Sequence, residues 1–125
     1  MMDSLEITDA ESAAVAVAPR VTLDSMKKKI VREFYINGGE AALIFDQHTG
    51  RNGPLDPEIK SLEVLTICIL VMANGFTLIG KAAPASPENF NAELGRKFAY
   101  EDAIRKIWPL EGYALREALA AQVEF

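Results

Sequence analysis

The strongest constraint in this chain is residues 64–73, a run in which every residue but Thr66 is apolar. A membrane span needs about twenty such residues, so a run of this length belongs in a protein core. Its start is well marked. Asp56 can cap a helix, Pro57 suits a first turn where its missing N–H costs nothing, and Glu58 complements the helix dipole. Glu58, Lys60 and Glu63 colour only the first two turns, and Asn74-Gly75 ends the segment. The expectation is a central helix over residues 56–74, apolar nearly all round.

The other elements are read from caps and periodicity. Thr22 opens a first helix in which Met26, Ile30 and Phe34 form an apolar stripe flanked by Val31 and Tyr35, until Asn37-Gly38-Gly39 stops it. Lys27, Lys28 and Lys29 fall off that stripe, as on a solvated face. Residues 40–46 suit either a short helix or a strand. Residues 47–54 form a loop punctuated by glycines, and the only histidine, His48, sits there as a loop residue.

Residues 76–85 read as extended, with a short strand at Thr77, Leu78 and Ile79. Ser86-Pro87-Glu88 starts a further helix with Phe90, Leu94 and Phe98 inward. Glu101–Arg105 and Asp102–Lys106 are acid-first pairs four residues apart. Pro109 is expected to end or kink that helix at Trp108, and a last helix begins at Leu110. The fold expected is therefore mainly α: one compact domain over residues 21–125 with about four helices and one extended segment around 76–82. Residues 1–20 carry Asp3, Glu6, Asp9 and Glu11 and little apolar bulk. They are expected to form a flexible acidic arm, or one that docks on a neighbouring subunit.

With 125 residues there is room for one core. Half the residues are hydrophobic, which is rich for so small a monomer and points to self-association. A net charge of −5 opposes general nucleic-acid binding. The single Cys68 cannot form an internal disulfide, which suits a reducing, cytoplasmic setting.

Chemistry is poorly provided for. One histidine and one apolar-flanked cysteine give no conventional nucleophile–base pair and no metal cluster, so no catalytic residue, metal or cofactor is expected. Gly75-Phe76-Thr77-Leu78-Ile79-Gly80-Lys81 has the spacing of a phosphate-binding loop. Ala82 stands where Ser or Thr should hold magnesium, and the loop interior is bulky and apolar. The match is coincidental.

Two tracts carry a resemblance. Asn74-Gly75-Phe76-Thr77, Gly80, Ala82 and Ser86-Pro87-Glu88-Asn89-Phe90 lead into Glu93-Leu94-Gly95-Arg96-Lys97. Ala103-Ile104-Arg105-Lys106-Ile107-Trp108-Pro109-Leu110-Glu111-Gly112-Tyr113-Ala114-Leu115-Arg116 follow. With Pro19-Arg20-Val21-Thr22, Ile30-Val31, Tyr35 and residues 62–70, their order resembles the gene-product-forty-nine/sixty-six family of small tailed-phage proteins, over residues 19–119. Lys81 departs from the pattern. The resemblance implies a phage origin and expression in the bacterial cytoplasm, and it transfers no catalytic residue.

The function expected is that of a non-catalytic phage accessory protein, self-associating and binding a host component, for counter-defence or host takeover. A sponge for a signalling nucleotide and a minor virion component are the alternatives; an enzyme comes last. The candidate binding residues are Arg96, Lys97, Arg105 and Arg116 for phosphates or acidic groups, and Tyr100, Trp108 and Tyr113 for stacking. The partners expected are further copies of the chain and a host protein or small signalling molecule, with no nucleic acid and no membrane.

Overall fold

The computed structural model describes residues 3–123. Helix α1 (Ser4–Val15) and the short α2 (Leu23–Lys28) precede strand β1 (Ile30–Asn37) and helix α3 (Gly38–His48). A 3-10 helix (Pro57–Val64) leads into β2 (Thr66–Met72) and β3 (Thr77–Ala82), and a 3-10 turn (Pro87–Asn89) precedes the long α4 (Ala92–Ala121). The strands form one antiparallel sheet in the order β1-β2-β3. This α+β architecture corrects the mainly α expectation, although the strand foreseen around 76–82 is present as β3.

The central apolar run is a strand. In β2, Thr66, Cys68, Leu70 and Met72 are buried while Ile67, Ile69 and Val71 are half-buried on the other face. The segment is apolar on both faces, so its periodicity does not separate strand from buried helix. Three of the four β-branched residues, Ile67, Ile69 and Val71, gather on one face, where a pleated sheet accommodates them well. Asp56-Pro57 does start a helical segment, but it is 3-10 and ends at Val64.

The first helix is likewise cut short. Thr22 caps α2 as expected, accepting from the Ser25 N–H. The chain turns extended at Ile30, because Tyr35 and Phe34 pair with Cys68 and Ile69 across the sheet. Asn37 then begins α3, its side chain accepting from Gly39 and Glu40 N–H groups, so Asn37-Gly38-Gly39 is a start signal. The ambiguous residues 40–46 lie inside that helix.

The arm expected to be flexible is, over Ser4–Val15, the capped helix α1. Leu5 enters the core. Asp9 accepts from Arg20 Nη1 at 2.8 Å and from the Leu23 N–H at 3.1 Å, clasping α1 to the start of α2.

Helix α4 also departs from expectation. It starts at Asn91, whose side chain accepts from the Leu94 N–H, and runs through Pro109. The carbonyl that loses its donor is that of Arg105. Both Arg105 and Pro109 are exposed, so water can satisfy the orphaned group and the helix continues.

Helix α4 packs on the inner face of β2 and β3 through Ala99, Ala103, Ile104 and Ile107. Contact is close enough that a Cβ on Gly80 would overlap the Ala99 carbonyl oxygen and press on Ala103. Gly75 makes the β2–β3 turn at φ 88°, a left-handed conformation that costs other residues about 1–2 kcal/mol. The phosphate-loop spacing thus spans a hairpin turn and an extended strand, a backbone that cannot wrap a phosphate.

Gly80→Val should destabilise the protein by on the order of 3 kcal/mol or more in urea unfolding, because the wall it meets is backbone. A second expectation concerns Asp9, whose carboxyl the Arg20 hydrogen bond holds below its ordinary 3.8. A depressed carboxyl stabilises above its unfolded pKa and loses that contribution as pH falls through the folded one. Hydrogen-exchange protection of the Leu23 amide should therefore fall as pH drops below 3.8, and Arg20→Ala should remove most of that acid-dependent loss.

Candidate functional site

Helix α4 lies over β3 and β2 and leaves the inner side of β1 only partly covered, with Tyr35 packed against the edge of the core. An open depression of about 340 Å³ results, walled on one side by Arg96, Lys97 and Tyr100 of α4 and on the other by Glu33 and Tyr35 of β1. Arg96 and Tyr100 are four residues apart and Lys97 three from Tyr100, so the three share one helix flank. Glu33 and Tyr35 are two apart and face the same side of the sheet. Tyr35 lies opposite Cys68 of β2, a fully buried thiol.

The protons of this cluster are held tightly. Burial pushes the Cys68 thiol up to about 11, against the opposing effect of the Tyr35 hydroxyl. Tyr100 is raised to about 12 by burial and then by the Glu33 charge. Tyr35 is raised by burial and by its Cys68 and Glu33 neighbours, and its hydroxyl donates to Glu33 Oε1 at 3.3 Å. Arg96 and Lys97 are exposed and enter no ion pair among the described residues. The site therefore offers two cations, two phenols that donate and one carboxylate.

The structure brings together three of the seven candidate residues: Arg96, Lys97 and Tyr100. Arg105 donates to Ser4 Oγ at 2.9 Å and stands 3.8 Å from Glu101, so it faces α1. Trp108 is half-buried against the core. Tyr113, 70% exposed, and Arg116 lie further along the helix. From Arg96 to Arg116 is about 30 Å at 1.5 Å per residue, too far for one small molecule. Glu33 and Tyr35 escaped sequence reasoning because they sit in a segment read as helix; the β-branched and aromatic content of residues 30–36 was the available signal.

A larger apolar groove of about 460 Å³ lies at the other end, between the β2–β3 turn and the second half of α4. Lys29 Nζ and Glu111 Oε2, 2.6 Å apart, bridge its rim. Among the described residues no three His, Cys, Asp or Glu side chains are grouped to hold a metal, and no helix is long and apolar enough to cross a membrane.

The fold and the depression define a small α+β protein with an open, mixed-charge surface site. The model of the phage protein family named for N4 Gp49 and phage Sf6 gene 66 matches residues 21–119, and the chain belongs to that family. No curated protein and no solved structure matches it.

Because Cys68 holds its proton and has no exposed surface, a thiol reagent at pH 8 should modify the native protein only at the rate of its opening. Reaction within seconds, without denaturant, would contradict this placement.

Proposed function

We propose that the chain is a non-catalytic phage accessory protein that self-associates and acts in the host cytoplasm by binding a host component. The observation that carries this is the outer face of the sheet. The register places Phe34 and Ile36 of β1, Ile67, Ile69 and Val71 of β2 and Ile79 of β3 together on the side away from α4. Phe34 is 42% and Ile79 54% exposed, while Ile36, Ile67, Ile69 and Val71 are half-buried. Contiguous exposed apolar surface of this kind marks interaction sites. Host takeover or counter-defence would follow from occupying a host component there, with no bond made or broken.

Light scattering at micromolar concentration should give a mass above that of the monomer. A tagged chain recovered from infected cells should carry a stoichiometric host component that Ile69→Glu/Ile79→Glu abolishes. A monomeric mass removes the self-association, and turnover of a metabolite lost on a single substitution removes the non-catalytic assignment.

The depression supports a second reading, a sponge for a signalling nucleotide. Arg96 and Lys97, in no ion pair among the described residues, could meet phosphate while Tyr35 and Tyr100 meet the base. A cyclic nucleotide at a hundred times its Kd would add about 2.7 kcal/mol of stability, a shift easily read in a thermal screen. No shift near saturation removes this reading.

A further inference from the structure

The two edges of the sheet are treated differently. On β3, Lys81 N–H donates to Asp102 Oδ2 at 3.0 Å and Ile79 O accepts from Lys106 Nζ at 2.6 Å, so α4 caps the outward backbone groups of that strand. On β1, Gly38 N–H donates to Leu65 O, and Ile36, Phe34 and Arg32 stand opposite Ile67, Ile69 and Val71. By the alternation of an antiparallel ladder, Arg32, Phe34 and Ile36 turn their backbone groups to β2, while Glu33 and Tyr35 turn theirs outward. Nothing among the described residues meets them, and residues 31–34 are exposed. The bulge that interrupts the strand lies between Ile30 and Arg32, before this stretch. No proline guards it.

We infer that β1 pairs antiparallel with β1 of a second copy about a two-fold axis at Phe34, giving a continuous six-stranded sheet whose paired depressions form one shared cleft. This rests on the self-association proposed above and specifies how it occurs. Self-complementarity selects the second copy as the occupant. With Phe34 opposite Phe34 of the other copy, Glu33 falls opposite Tyr35 and Arg32 opposite Ile36, so no like charges meet. A register centred on Glu33 would oppose two carboxylates. In the Phe34 register each Glu33 also comes beside the site of the other copy, where Arg96 and Lys97 enter no ion pair among the described residues. The cleft is then walled by cations and phenols from both copies, and neither copy closes it alone.

Cysteine cross-linking and one proline decide it. Opposed residues at a non-hydrogen-bonded position are about 4.5 Å apart at Cα, within disulfide reach. Phe34→Cys should give a covalent dimer under mild oxidation, whereas Ile69→Cys, on the middle strand, should not. Glu33→Pro removes an outward N–H and spares the ladder to β2, so it should keep the monomer's circular dichroism and raise the dimer dissociation constant roughly tenfold or more. Phe34→Asp, at an exposed side chain, checks the same interface without touching the backbone and should yield monomer. An oligomer that survives both Glu33→Pro and Phe34→Asp, or one that cross-links through Ile69→Cys and not Phe34→Cys, overturns the edge pairing while leaving self-association intact. A monomeric wild type overturns both.

Discussion

Everything in this structure depends on how closely α4 can lie on the β2–β3 hairpin. Ala99 and Ala103 present no side-chain bulk beyond a methyl, and Gly80 presents none, so helix and strand backbones meet directly. At Gly95 it is a side chain that comes close: a Cβ there would stand 2.6 Å from Thr66 Oγ1. Close packing of this kind fixes the helix to one side of the sheet. A helix is about 10 Å across with its side chains and three strands span roughly 14 Å, so one helix seated on β3 and β2 cannot also cover β1. The open depression beside Tyr35 is the remainder of that geometry.

The same placement decides the fate of the edges. Because α4 overhangs β3, Asp102 and Lys106 reach its free backbone groups, and these two residues also bond to each other across one helical turn at 3.5 Å. An i,i+4 pair that looks like ordinary helix-surface stabilisation therefore has a second task in blocking an edge. Strand β1 has no counterpart among the described residues; of the elements before it, α1 is tied to the start of α2 through Asp9.

Local signals in the sequence were legible where they depend on a few neighbouring residues. Thr22 caps a helix, Asp56-Pro57 opens one, Asn74-Gly75 closes the central segment, and both acid-first pairs form. What failed is what tertiary pairing decides. Met26, Ile30 and Phe34 have helical spacing, yet Ile30 and Phe34 belong to β1, because residues some 35 positions downstream in β2 offer them a ladder. Residues 64–73 are apolar on both faces, so only the sheet says which period applies. Pro109 was overruled by solvent, which can hydrate the Arg105 carbonyl. The site divides in the same way. Arg96, Lys97 and Tyr100 share a helix flank and could be grouped from spacing, whereas Glu33 and Tyr35 join them only through the register with Cys68.

Two phenols and a carboxylate in one depression, with a thiol buried behind Tyr35, look like the makings of catalysis, and their environment argues the other way. Burial pushes the Cys68 thiol up to about 11, so it keeps its proton at pH 7. Tyr35 and Tyr100 are shifted up as well, so none of the three can take a proton from a substrate near neutral pH. Burial is the main cause, because a charged form in an apolar setting loses its hydration, and the Glu33 charge adds to it. The groups left able to act are Arg96, Lys97 and Glu33, all exposed and charged, together with two phenols locked as donors. On the function proposed above, such a set would recognise a partner through charge and hydrogen bonding, and its strength would come from being duplicated across a two-fold axis.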